Sequence, residues 1–419
     1  MVKYSVSRAN FAARQNSSIT VCAATSGGME IKMSAIISEY IEKSQIITPD
    51  DEYHYFFGYY DMRATVGNKP HLCHRVKFMD RLPDENDVCE VGYLVDRKFV
   101  KIGETTAWNF QQGAMLQYHP YLENTVYYNV FEDGKFQTLT HNFATGEKKY
   151  ADRATACISP DGKWGLGVNF GRLFDFRPGY GYAGYVDEFA DVNAPHDDGV
   201  FLVDMETGDK KLICTYPEMA RLIGLTPERK LVVNHITFNP SATKFMMLVR
   251  TFPSENDKTW ATNLIVSDLS GNMKLFSKMT MYSHYDWEDD DTLFGYCTYN
   301  GVDDCYWLNT ETGIWREIPD DMTKGFDIHC LYSPDRNYIL GDGCPNGQGY
   351  RNVYLYDCRK EKYRIVLTAH CPHSLATVEF RSDFHNRWNS KGTGFSYDTI
   401  QNGRRQILEV DLSETGLIY

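Results

Sequence analysis

The chain has no run that approaches the roughly 18 consecutive apolar residues of a membrane-spanning helix. It also lacks any excess of basic charge. Its 43 basic residues face 56 acidic ones, for a net charge of −13. No lysine–arginine stripe is therefore available to neutralise a phosphate backbone, which excludes nucleic acid as a partner. There is no phosphate-binding loop, no dinucleotide fingerprint between a strand and a helix, and no Gly-x-Ser-x-Gly elbow. Helix-type periodicity is scarce. The first residues contain no continuous apolar core of a signal peptide. Cysteine is present, 11 times, but without paired spacing. An odd, scattered set implies reduced thiols and a cytoplasmic protein.

What the chain does contain is a repeat of about fifty residues, with 29 Tyr, 23 Phe and 32 Gly among 419 residues. Each copy has a short opening segment and a tight turn such as SPDGK (159–163) or SPDRN (333–337). A strand-like run follows, such as FMMLVRTF (245–252), then a run ending in a Thr-Gly or Ser-Gly turn, as in VFLVDMETG (200–208). A fourth short run closes the unit. Alternating apolar positions between such turns are strand signals. Copies start near Tyr55, Ala114, Ala154, Asn234, Ser283, Asp327 and Arg381. Seven units of four short strands predict an all-β, seven-bladed β-propeller with four-stranded antiparallel blades. It occupies 51–419 as one domain, after an irregular or partly helical lead-in over 1–50. The run 217–224 reads as a short helix within an inter-strand insertion. The longer insertion Gly171–Asp198 in the third unit is rich in Tyr and Phe and reads as an ordered wall beside the channel mouth.

Four histidines, His235, His284, His329 and His385, occupy one register position, five residues before the turn of successive units. In a propeller the first strand of each blade lines the channel, so in-phase side chains converge. Clustered imidazoles repel one another when protonated, and a shared metal relieves this. The set suits a divalent ion such as Mn, Fe, Ni, Cu or Zn. Asp286, Asp327 and Asp383 each lie within two residues of one of these histidines and are candidate acceptors for their second ring N–H. The bland alternative is a histidine that merely bonds to a neighbour in the channel. Arg250 follows on the next strand of the unit that opens with His235, and Arg172 and Arg177 flank the long insertion. In WNFQQGAMLQYHP (108–120), amide and aromatic groups suit sugar recognition, while His119 either caps a turn or acts on substrate.

NHITFNP, SHYDWED, DIHCLYSPD and the RSDFHNRW region, over about residues 230–415, resemble the oligogalacturonate lyases, TolB-like seven-bladed propellers. Ulvan lyases are a more distant comparison. The resemblance implies β-elimination on a uronate within an acidic oligosaccharide, by a monomer or homodimer. It implies a divalent metal, manganese foremost, on His284, His329 and His385. It leaves His235 as the fourth ligand or, by its family position, as the catalytic base. Arg250, Arg172 and Arg177 are the candidates to meet the uronate carboxylate, and His119 is an alternative base. That family's metal shell includes a glutamine, and no glutamine stands in register here. Two other readings compete: a sugar hydrolase using the same channel, and a non-catalytic propeller with a structural metal site.

Overall fold

The recurring turn is held by its own first residue. In SPDGK the Ser159 hydroxyl donates to Asp161 (2.6 Å) and accepts from the Trp164 amide (3.0 Å). Ser333 repeats both bonds, and Asn239 and Asn389 accept from the turn amides with their side-chain oxygens. Such bonds fix a tight reversal, so each opening segment folds back antiparallel on the run that follows it.

The computed structural model describes residues 44–225, 229–253, 260–319, 323, 327–346, 348–370 and 379–418. They form seven four-stranded antiparallel sheets, a seven-bladed propeller. The first strands of neighbouring blades pack on one another, as Tyr282–Trp287 does on His329–Tyr332. The ring is closed by the N-terminal segment. Ser44–Ile46 pairs with Leu408–Val410 and forms the outer strand of the seventh blade. Among the described residues this strand is the first of the propeller, and it falls in the stretch expected as a lead-in, of which 1–43 lie outside the described residues.

Much of the core lies between blades. Phe294 and Trp307 of the fifth blade pack on Tyr332 of the sixth, and the Trp307 indole donates to the Tyr332 hydroxyl at 2.8 Å. Each such buried side chain contributes about 1.5–3 kcal/mol. The run at 217–224 is helical, as Tyr216–Ile223, started by a Thr215–Glu218 capping box and stopped at Gly224 in the left-handed region. No described helix is long and apolar enough to cross a membrane.

The long insertion opens with a helix, Phe170–Phe176, capped by Asn169. Asn169 also donates to Asp187 and Asp198 (2.8 Å each), and Arg153 pairs with Asp198 at 2.8 Å. From this anchored base the tip reaches blade seven. Arg177 lies 3.5 Å from Glu379, and Arg381 donates to the Tyr180 hydroxyl at 3.4 Å. The insertion joins second to third strand, the end of the blade at which the first strand begins. It therefore covers the face of the ring from which the four histidines project.

Candidate metal centre

Irregular backbone places the histidines. In blade four the ladder slips between Val233 and Ile236, leaving Asn234 and His235 in a bulge with His235 at φ +67°. Blade five slips between Tyr282 and Tyr285, around His284. His329 begins its strand, and His385, at φ +46°, precedes Arg387–Trp388 by two residues. Left-handed backbone in a residue other than glycine costs of order 1 kcal/mol and clusters where side chains must be aimed.

Three of the four histidines come together. The His284 and His329 ring centroids are 4.0 Å apart, and those of His329 and His385 are 4.5 Å apart at 82°. Nitrogen atoms of His329 and His385 and a carboxylate oxygen of Asp383 lie within 4.8 Å of one another. The His329 and His385 Nε2 atoms are buried and meet no hydrogen-bond partner. Carboxylates hold the other side of the cluster: His284 Nδ1 to Asp327 (2.7 Å) and His329 Nδ1 to Asp342 (3.1 Å). Arg351 then bridges Asp342 (3.0 Å) and Asp383 (2.7 Å), and Arg381 pairs with Asp383 at 2.8 Å. An imidazole fixed at one nitrogen by a carboxylate, with the other left unbonded and buried, as at His329, is what a divalent ion needs. His329, His385 and Asp383 fit such an ion, with His284 beside them.

His235 stands apart from this trio. Its ring stacks on Tyr59 (5.0 Å) and meets Tyr180 edge-on (5.3 Å), while Tyr59 itself lies against His385 (4.9 Å). Tyr59 and Tyr60, from the segment after the first strand of blade one, thus plug the ring between the histidines. The sequence reading missed both, together with Asp342 and Arg351. It took Asp383 as an outer acid, and here its carboxylate lies with the His329 and His385 nitrogens. Asp286 does not serve a histidine: it accepts from the Trp287 and Tyr332 amides and lies 3.5 Å from Arg336.

The arginines divide. Arg172 is fully buried, and its guanidinium is engaged by Asp187 and the carbonyls of Leu231, Phe189, Val192 and Asn193. It anchors the insertion and is not free to meet substrate, a correction to its expected role. Arg250 is only 3% exposed. It donates to Asn234, stacks on Trp260 at 4.6 Å, and leaves its Nε without a partner. Burial and the nearby Arg177 push its pKa down to about 10. Arg177 also stacks on Tyr180 at 4.3 Å. His119 caps a turn, accepting from the Tyr121 and Leu122 amides (3.1 and 2.9 Å). In the amide cluster, Asn109 accepts from the Gln111 and Gln112 amides, and Gln111 donates to the Arg381 carbonyl at 3.0 Å, tying blade two to blade seven.

Burial holds His235, His284 and His385 neutral, with pKa values below the usual 6.5. The buried His71 and His74 are pushed down to about 3 and about 4. The unfolded chain takes up these protons near pH 6.5 and the folded one does not, so stability falls as pH drops below that value. The expected loss is about 1.4 kcal/mol per pH unit for each such histidine across its window. Denaturant midpoints measured from pH 7 to pH 4 check it.

Fold and site together define a seven-bladed propeller with a polar, histidine-lined centre roofed by an insertion. Neither the family models nor the curated proteins include a match to the chain. Among solved structures it is similar to an oligogalacturonate lyase in complex with manganese. That match has TM-score 0.60 and 14% identity and covers 89% of this chain and 93% of that one. It is also similar to an oligogalacturonate lyase from Vibrio parahaemolyticus, with TM-score 0.60, 13% identity and coverage of 89% and 94%. At these identities the likeness is one of fold.

Proposed function

We propose that the protein is a metal-dependent lyase that cleaves uronate-containing acidic oligosaccharides by β-elimination. It would act as a monomer or homodimer in the cytoplasm, where the free, mostly buried cysteines among the described residues fit a reducing compartment. One observation carries the reading. A buried arginine with an unpartnered Nε, Arg250, acts on His235, and across the Tyr59 ring stand His329 and His385, whose buried Nε2 atoms are likewise unpartnered. Elimination needs a group that withdraws charge from the C6 carboxylate and a base for the C5 proton. Arg250, backed by Arg177, takes the carboxylate. His329, His385 and Asp383 would hold a divalent ion, manganese by resemblance, which when bound would supply Lewis acidity to the same carboxylate.

Two imidazoles remain for the base, and His284 is better placed than His235. Removing the proton turns the base into an imidazolium. Asp327, 2.7 Å from His284 Nδ1, stabilises that charge, whereas Arg250 and Arg177 oppose it at His235. A hydrolase would require two carboxyl groups free to flank the scissile bond. Here Asp327, Asp342 and Asp383 are each engaged by histidine or arginine, which favours elimination.

The test is to incubate the protein and Mn²⁺ with oligomers of galacturonate, glucuronate or iduronate, following the ultraviolet absorbance of a new C4–C5 double bond. Absorbance should grow on one of them, and His284→Ala should lower kcat by about 100-fold or more. A flat trace on all three would refute the lyase reading. Equal activity of His284→Ala and the parent would move the base to His235.

A further inference from the structure

Two adjacent tyrosines enter the centre of the ring, and only one has its hydroxyl occupied. The Tyr60 hydroxyl donates to the Tyr285 carbonyl (3.1 Å) and accepts from the Tyr285 amide (3.2 Å). The Tyr59 hydroxyl is buried and makes no hydrogen bond. The Tyr60 hydroxyl acts on its ionisation, but the Tyr60 proton goes to the Tyr285 carbonyl. An unsatisfied buried hydroxyl destabilises the fold, and phenylalanine would fill the same space without it.

The backbone is arranged to hold Tyr59 there. Gly58 sits at φ +117°, and a Cβ on it would meet the Gln112 carbonyl carbon at 2.8 Å. The Phe57 and Gly58 amides both donate to Asp398 (3.0 and 3.3 Å), which Arg387 holds in turn at 2.7 Å. The Tyr59 ring is clamped between His235 (5.0 Å, stacked) and His385 (4.9 Å, edge-on). Tyr180, Asp61 and Arg250 are the charged or ionisable groups acting on its hydroxyl. Over it lies the Arg177–Tyr180 tip, which meets blade seven at 3.5 and 3.4 Å, and a substrate that touches the hydroxyl must displace that tip.

We propose that Tyr59 is the catalytic proton donor to the departing C4 oxygen; this rests on the lyase reading above. The base takes the C5 proton and that electron pair becomes the C4–C5 double bond. The C4–O4 bond breaks, its pair goes to O4, and the Tyr59 hydroxyl proton moves to O4. The resulting phenolate regains a proton from the one the base has taken, so the cycle closes without a co-reactant. A sugar alkoxide is a poor leaving group, and a positioned acid typically contributes 10²–10⁴-fold to its departure.

The experiment compares Tyr59→Phe and Tyr60→Phe with the parent on two uronides, one leaving a sugar from C4 and one leaving 4-nitrophenolate, which needs little protonation. Tyr59→Phe should lose about 100-fold in kcat on the sugar and less than about threefold on the nitrophenyl compound. Its thermal midpoint should be unchanged or higher, since an unsatisfied group has gone. Tyr60→Phe should lower the midpoint and slow both substrates alike. Equal losses on the two substrates for Tyr59→Phe, or full activity on the sugar, would overturn the assignment. A parent that eliminates neither substrate refutes the lyase reading itself, a result distinct from a failure at Tyr59.

Discussion

Alanine at both His329 and His385 should abolish the response of the protein to manganese. In the parent, Mn²⁺ at a hundred times its dissociation constant should raise the free energy of unfolding by about 2.7 kcal/mol, because the ion binds only the folded state. The double variant should show no rise, and its affinity, read by calorimetry, should fall by well over 100-fold. Losing an outer partner of a ligating histidine typically costs 10–100-fold, so losing two direct donors costs more. The two buried Nε2 atoms have no partner, and each is set by a different part of the chain. His329 is fixed by Asp342 across the strand pair, and His385 by its left-handed backbone. Asp342→Asn should fall between, by about 10–100-fold, because it loosens one ligand without deleting it. An unchanged manganese shift in the double variant would remove these histidines from metal binding.

The architecture was legible because local chemistry and topology agree. Ser159, Asn239, Ser333 and Asn389 each tie their own turn, so the turn residues marked the repeat in four blades and the phase of the histidines against it. Asp342 could have been read the same way. The SPDRN turn sets the register that pairs His329 with Asp342, and a strand partner shares the face of its neighbour. Tyr59 and Tyr60 could not be read from phase. They belong to a segment that leaves its blade and enters the channel, and the signal for it, a glycine between aromatic pairs in FFGYYD, has its meaning only once Gln112 of blade two is seen against it. Arg172 and Arg250 looked alike in sequence. What separates them is where the insertion folds, since five acceptors converge on Arg172 and Arg250 is left with Asn234 and Trp260.

Arg351→Met should be the most damaging single change to stability, at about 3–5 kcal/mol, the cost of breaking a buried ion pair from one side. The Arg351 side chain is 4% exposed and bridges two carboxylates, on Asp342 and Asp383, that are 0% and 3% exposed. Methionine fills similar volume, so the loss reports charge rather than a cavity. Asp383 would keep Arg381, but Asp342 would be left with His329 alone. Arg351→Lys should recover only part, because an ammonium cannot present two parallel N–H groups to two acids as a guanidinium does. Denaturant unfolding separates the cases, and Asp342→Asn combined with Arg351→Met should cost less than the sum of the two, since the uncompensated charge is gone. Manganese distinguishes a structural network from a metal-supporting one. A cation next to Asp383 replaces part of the missing positive charge, so Mn²⁺ should restore more stability to Arg351→Met than it adds to the parent. If it restores no more than it adds to the parent, the arginine and the ion do not share Asp383, and that residue belongs to the arginine network alone.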